Sequence, residues 1–221
     1  MIDKLITKYN YPTYSINYIK DIKYYSLNEN INAPSVTSIL RYTNNQISSN
    51  FFNTKITKSM EIGDLMHNYL EDYICGRDNT QVDSKNFSLA KILAKIVIDN
   101  LIVNFDEIWG SEVSVSYKDK YAGTIDLIGI LNKKLCIIDY KSSYKKKSVE
   151  ELEDHFLQCA AYAIAHDWQF DTHVDSIIIF QVIRNGGFEK NIANKSELDI
   201  YKEKWFDKLE KFNVKMAKDN D

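Results

Sequence analysis

Residues 112–143 read EVSVSYKDKYAGTIDLIGILNKKLCIIDYKSS. Val113, Val115 and Tyr117 alternate with Glu112, Ser114 and Ser116, the period-two pattern of a strand that buries one face and leaves the other polar. Residues 121–131 and 134–141 continue as apolar strands, bounded by Lys118-Asp119-Lys120 and by Asn132-Lys133, so the stretch is expected to fold as a three-stranded antiparallel meander. Symmetric closure of the loop at Asn132-Lys133 sets Asp126 opposite Asp139, with Lys141 two residues further along the same face. A three-residue loop at 118–120 sets Glu112 opposite Asp126. A bulge in either strand would break this register.

Three acids and a lysine would then converge among Ile125, Leu127, Ile128, Ile137 and Ile138. Carboxylates side by side across strands repel, and in apolar surroundings they cost stability unless a cation compensates them. Hard oxygen ligands suit Mg²⁺ or Mn²⁺. A lysine beside such an ion can orient a water or offset charge growing on phosphoryl oxygens, which is the chemistry of phosphodiester hydrolysis. Taken singly, Asp126 and Asp139 read as solvated strand ends paired with Lys141. The joint pattern Gly123-Thr124-Ile125-Asp126 followed by Asp139-Tyr140-Lys141 favours an active site.

Working outward, residues 12–27 carry Tyr and Ile runs compatible with a small hairpin, and Ser35 can cap a short helix with Val36, Ile39 and Leu40 inside. Apolar residues recur at helical spacing from Met60 to Cys75 and from Leu89 to Phe105. After the meander, Ser148-Val149-Glu150-Glu151 is a capping box opening a helix to about Trp168. Residues 174–184 are rich in β-branched residues, and Asn185-Gly186 is a tight-turn pair leading into 187–193, so that helix links two strands of one sheet. Leu198, Tyr201, Trp205, Leu209 and Phe212 line one face of a final helix, with Lys202, Lys204, Lys208, Lys211 and Lys215 opposite. That helix reads as packed on the core rather than as a dedicated DNA reader. The expected fold class is α/β, a mixed sheet of about five strands flanked by helices. One domain over 1–221 is expected, with a helical covering region at 35–105, a catalytic sheet and helix at 108–193 and a last helix at 196–219.

At these residues the chain resembles the PD-(D/E)xK nuclease superfamily, with Asp126 as the first acid and Asp139-Tyr140-Lys141 as the D-x-K element. The ordered set Gly63-Asp64-Leu65-Met66-His67, Glu112, Gly123-Thr124-Ile125-Asp126, Asp139-Tyr140-Lys141 and Gln158-Cys159-Ala160-Ala161-Tyr162 is similar to the RecB-like exonuclease branch. Pro34-Ser35-Val36-Thr37-Ser38-Ile39-Leu40 is similar to an element near the start of the mitochondrial genome maintenance exonucleases and related phage exonucleases. The resemblance implies a restriction-endonuclease-like core. It implies Asp126, Asp139 and Lys141 as catalytic residues, and a metal site of His67, Glu112, Asp126, Asp139 and the main-chain carbonyl of Tyr140. DNA contacts would fall at Ser35, Thr37, Ser142, Ser143, Lys145, Gln158 and Tyr162. From the residues alone, His67 reads as an ordinary buried or capping histidine, with Gly63 one turn before and Glu71 one turn after on the same face. Gln158 and Tyr162 have two readings of equal standing: DNA contacts or a hydrogen bond steadying Lys141, against plain packing between helix and sheet. Ser142, Ser143 and Lys145–Lys147 form a loop that is solvated and suited to holding phosphates.

Composition sets the outer limits. With 44% hydrophobic residues most of the chain is not disordered, and its net charge of −3 offers no global attraction to a polyanion. DNA binding is therefore expected to be weak without metal and to fall with salt. Cys75, Cys136 and Cys159 are too few and too scattered for a four-cysteine iron-sulfur cluster, and they fit a reducing cytoplasm. No apolar run is long enough to span a membrane, and no signal-peptide pattern opens the chain. Gly and Pro are scarce while Ile, Lys, Asn and Tyr are abundant, a bias that AT-rich coding sequence produces and that suits a phage protein acting in a host cytoplasm. The expected activity is that of a monomeric Mg²⁺-dependent DNA exonuclease acting from ends and preferring single-stranded DNA. A structure-selective or double-strand endonuclease, or an inactive fold that only binds DNA or a protein, are the alternatives.

Overall fold

The computed structural model describes residues 3–44, 58–78 and 84–218. A small antiparallel sheet of β1 (Ser15–Ile19), β2 (Ile22–Asn28) and β3 (Ile31–Pro34) leads into α1 (Val36–Thr43). The helices α2 (Lys58–Cys75) and α3 (Lys85–Asn100) follow. Next come β4 (Phe105–Tyr117), β5 (Tyr121–Leu131) and β6 (Lys134–Ser143), then α4 (Glu153–Phe170), β7 (Ser176–Ile183), β8 (Phe188–Ala193) and α5 (Lys195–Lys218). The five later strands form one mixed sheet in the order β4-β5-β6-β7-β8, and β6 and β7 are its parallel pair. This is the α/β architecture expected from the sequence, with α4 as the crossover between the parallel strands.

Primed turns set the registers. Lys20-Asp21 and Asn132-Lys133 both have positive φ, the geometry whose twist matches two-residue hairpins. The second turn pairs Leu131 with Lys134 and carries the ladder to Leu127 opposite Ile138. The capping box is present, with Glu151 Oε2 accepting from the Ser148 N–H and Ser148 Oγ accepting from the Glu151 N–H. It opens a single 3₁₀ turn before α4 begins. Ser35 caps α1 by accepting from the Ser38 N–H at 3.1 Å.

Both faces of the sheet are covered, which is why its inner strands read as unbroken apolar runs. On one face Ile125, Ile128, Ile137 and Ile179 pack with α1, α4 and α5. On the other, Leu127, Ile138, Ile178 and Phe180 pack with α2 and α3. The expected helical covering region over 35–105 is thus not one body, because α1 lies with α4 and α5 while α2 and α3 take the opposite face. Residues 45–57 and 79–83 of that region lie outside the described residues. Two further corrections concern boundaries. The helix starting near Leu89 ends at Asn100 instead of Phe105, because Ile102–Asn104 form a 3₁₀ turn and Phe105 already begins β4. The hairpin expected at 12–27 gains a third strand, β3, too short to show a period. Three lysines of α5 pair with neighbouring elements: Lys202 with Asp167, Lys204 with Glu153 and Lys208 with Asn44. The helix packs on the core through Leu198, Trp205, Leu209 and Phe212, as its amphipathic pattern predicts.

A buried histidine ties the N-terminal segment to α4. Thr172 donates its hydroxyl to Asp167 and so receives the His166 Nδ1–H at 2.7 Å, leaving Nε2 to accept from Tyr11 at 3.1 Å. The rings of Tyr9 and Phe170 close around it. Burial lowers the His166 pKa to about 4. Its contribution to stability is therefore complete above the unfolded value of about 6.5 and is lost as the pH falls toward about 4, amounting to about 3 kcal/mol. Chemical denaturation from pH 7.5 to 4 checks this: the loss should shrink in His166→Gln, and an identical pH slope in both proteins would refute it.

Candidate active site

The central sheet forks where the acids sit. Backbone pairing of β5 with β6 stops at Leu127–Ile138, one position short of the expected meeting of Asp126 with Asp139. Instead the Asp126 carboxylate enters the gap, and its Oδ2 accepts from the Tyr140 N–H at 2.9 Å. On the other side of β5, Val113 pairs with Ile125 and Ser111 with Leu127, while the Glu112–Asp126 position between them is left out of the ladder. Glu112 has φ of 51°, a left-handed conformation rare for a non-glycine residue inside a strand. The count across both turns is as expected, so the acids converge through an opened ladder rather than a closed one. Asp126 and Asp139 are both buried, which removes the alternative of solvated strand ends.

His67 reaches this fork from α2. Its Nδ1 lies 3.1 Å from Glu112 Oε1 and 3.6 Å from Asp126 Oδ2, and its Nε2 lies 3.1 Å from the Tyr140 carbonyl oxygen. Donor atoms of His67, Glu112 and Asp126 lie within 4.8 Å of one another. Burial works against charge on the imidazole, but the Asp126 carboxylate and the hydrogen bond with Glu112 outweigh it and raise the pKa to about 9. The pair of carboxylates thus draws positive charge to this point.

Asp139 faces a second gathering of groups. Its Oδ1 accepts from Lys141 Nζ at 2.7 Å and from Gln158 Nε2 at 3.1 Å, whereas its Oδ2 is buried with no hydrogen-bond partner among the described residues. Burial raises the Asp139 pKa, opposed by Lys141. Burial also works against charge on Lys141, yet Asp139 and Asp126 hold its pKa well above the usual lysine value. Lys141 is therefore held as an ammonium at neutral pH and can donate hydrogen bonds, as it does to Asp139. Nearby on α4, His155 is kept neutral by burial, with its pKa lowered to about 4.

A cleft of about 590 Å³ opens over these groups. Gly63, Asp64, His67, Asn68 and Glu71 of α2 line one wall, and Glu112, Tyr140, Lys141 and Ser142 the other. Asp64, Asn68 and Glu71 were not among the candidates, though their spacing around His67 follows one helix face. Glu71 is neutralised by Arg77 at 2.6 Å. A Cβ on Gly63 would lie 3.7 Å from Ser142 Oγ, an ordinary contact, so α2 approaches β6 closely without requiring glycine.

The other candidates fall in different places. Gln158 bonds Asp139 rather than Lys141, so it steadies the lysine's partner. Tyr162 is buried against Gly123, where an added Cβ would come within 2.2 Å of its ring, and it fills the helix-sheet interface. Ser35 is buried and occupied as a helix cap, and Thr37 beside it is exposed. Ser142 reaches the cleft, Ser143 donates to the Lys145 carbonyl, and Lys145 is exposed.

Comparison with known proteins bears on the family. Residues 102–219 match the model of the PD-(D/E)XK nuclease superfamily. The chain is 25% identical over 158 residues to mitochondrial genome maintenance exonuclease 1 of Xenopus tropicalis, covering 69% of this chain and 45% of that protein. To its Mus musculus counterpart it is 27% identical over 123 residues, covering 53% of this chain and 36% of that one. The match therefore spans less than half of either relative's length. A crystal structure of a candidate exonuclease from Eubacterium rectale superposes with a TM-score of 0.48 at 12% identity, covering 82% of this chain and 75% of that one.

Proposed function

Because the chain belongs to the PD-(D/E)XK nuclease superfamily, we propose that it is a divalent-metal-dependent deoxyribonuclease that hydrolyses phosphodiester bonds from DNA ends, with single-stranded DNA as the preferred substrate. The observation that carries this reading is the convergence of His67, Glu112 and Asp126 at the fork, beside the Lys141–Asp139 pair. Oxygen donors and one imidazole suit Mg²⁺ or Mn²⁺, and Asp139 Oδ2 is a further ligand atom with no hydrogen-bond partner among the described residues. His67, Glu112, Asp126, Asp139 and the Tyr140 carbonyl would hold the ion. When bound, it neutralises charge on the phosphoryl oxygens and makes an attacking water more acidic.

The chain's own residues do the rest. Lys141, held protonated, donates toward the attacking water or a phosphoryl oxygen. Gln158 and Lys141 share Asp139 Oδ1 and so fix the direction of the lysine. The Tyr140 N–H orients Asp126. Exposed Lys145 beyond β6 meets the backbone of the incoming strand. That both curated relatives are named exonucleases favours action from ends, and α2 supplies the wall of a cleft into which a strand would thread.

Digestion of linear single-stranded and double-stranded DNA, labelled at either end, with Mg²⁺ and with chelator, tests the reading. Degradation from an end that stops with chelator is expected. Cutting of a closed circle would replace it with the endonuclease alternative.

A further inference from the structure

We propose that Tyr144, stacked on Arg184, is a platform for an unpaired base of the DNA strand adjacent to the scissile phosphate, and that it biases the site toward single-stranded substrate. The proposal rests on the nuclease reading above and adds a specificity residue to it. Ser143 and Lys145 on either side were singled out from the sequence, but the tyrosine between them was not.

Tyr144 is the first residue beyond β6, three positions after Lys141, so at strand rise it stands about 10 Å from the lysine along the chain. Ser142, in between, already lines the cleft. Tyr144 is 71% exposed, while the Arg184 guanidinium lies 4.1 Å from its ring centroid. One face is thus backed by a planar cation and the other is turned to solvent. The parallel register of β6 on β7 places the arginine there: Ser143 pairs with Ile183, and the Arg184 N–H donates to the Ser143 carbonyl at 3.0 Å.

The loop carrying the ring is held at both ends. Buried Gln181 accepts from the Lys147 N–H at 2.9 Å and donates to the Lys147 carbonyl at 3.2 Å. Lys145, next to the ring, is exposed toward solvent. An exposed aromatic face beside a cation is the combination that holds single strands, through base stacking and phosphate attraction together. In a duplex both faces of each internal base are already covered by neighbours, so only a frayed or unpaired nucleotide can use the platform.

The test uses a single-stranded oligonucleotide carrying 2-aminopurine at successive positions from its end, with Ca²⁺ to hold it uncleaved and Mg²⁺ for kinetics. Quenching at one position is expected in the wild type, lost in Tyr144→Ala and kept in Tyr144→Phe. KM for the single strand should rise about tenfold in Tyr144→Ala with kcat within about twofold, and blunt duplex should be affected less than about twofold. An active Tyr144→Ala with wild-type quenching and KM would overturn the platform and leave the nuclease reading standing. So would equal losses of kcat in both variants at unchanged KM. A wild-type protein that neither binds nor cuts DNA would overturn both.

Discussion

Asp126→Asn is expected to keep the fold and to lose on the order of 10³-fold in Mg²⁺-dependent hydrolysis of end-labelled DNA. The amide oxygen of asparagine can still accept from the Tyr140 N–H, so the contact that holds the fork open survives. What goes is the negative charge beside His67 and Glu112. A divalent ion would lose its most central carboxylate, and the His67 pKa would fall because the Asp126 charge is the main influence raising it. Initial rates and thermal melting of the same preparation separate chemistry from folding. A rate within about tenfold of wild type at an unchanged melting temperature would place the reacting centre elsewhere.

Lys141→Met is expected to abolish hydrolysis and also to destabilise the protein, by about 3 kcal/mol in metal-free buffer at neutral pH. Asp139 is fully buried, and with the ammonium removed its Oδ1 would keep only Gln158 while Oδ2 remains without a partner. The carboxyl then favours its protonated form, so its folded pKa rises further above the unfolded value. A pKa raised on folding costs most at high pH, and the cost disappears as the pH drops below the unfolded value of about 4. The stability deficit against wild type should therefore shrink steadily in acid. Mg²⁺ or Mn²⁺ should recover part of it at neutral pH, because a cation bound to the folded state alone stabilises that state. Denaturant midpoints across pH, with and without metal, check both statements. A deficit independent of pH and metal would mean that Lys141 matters only for packing of its stem.

Much of this site was legible because local rules and tertiary structure agree. Asn132-Lys133 closes as a two-residue primed turn, so the strand count carried Asp126 and Asp139 to the same end of the sheet. The capping box and the helical spacing around His67 were equally local. The front half of β4 was not legible, because register shifts between Phe105 and Glu107 and between Ile108 and Gly110 scramble its period. Neither was the fork, since nothing in Glu112-Val113 announces a left-handed residue that asparagine or glycine would adopt more easily. Which sheet face each helix takes depends on long-range burial, so α1 and α2 could not be told apart as covering elements. Gln158 was singled out beside the site, but its partner depended on which oxygen of Asp139 turned toward α4.

Glu112 carries a lasting trade-off. A left-handed φ costs a non-glycine side chain roughly 1 kcal/mol, and the cost falls where two further carboxylates already crowd the fork. Selection for stability alone would install glycine there, which adopts that conformation without the strain. A chain that retains glutamate keeps a position less stable than it could be, and if the proposed function holds, lineages freed from it would be expected to lose that residue early, before the core of the sheet begins to drift.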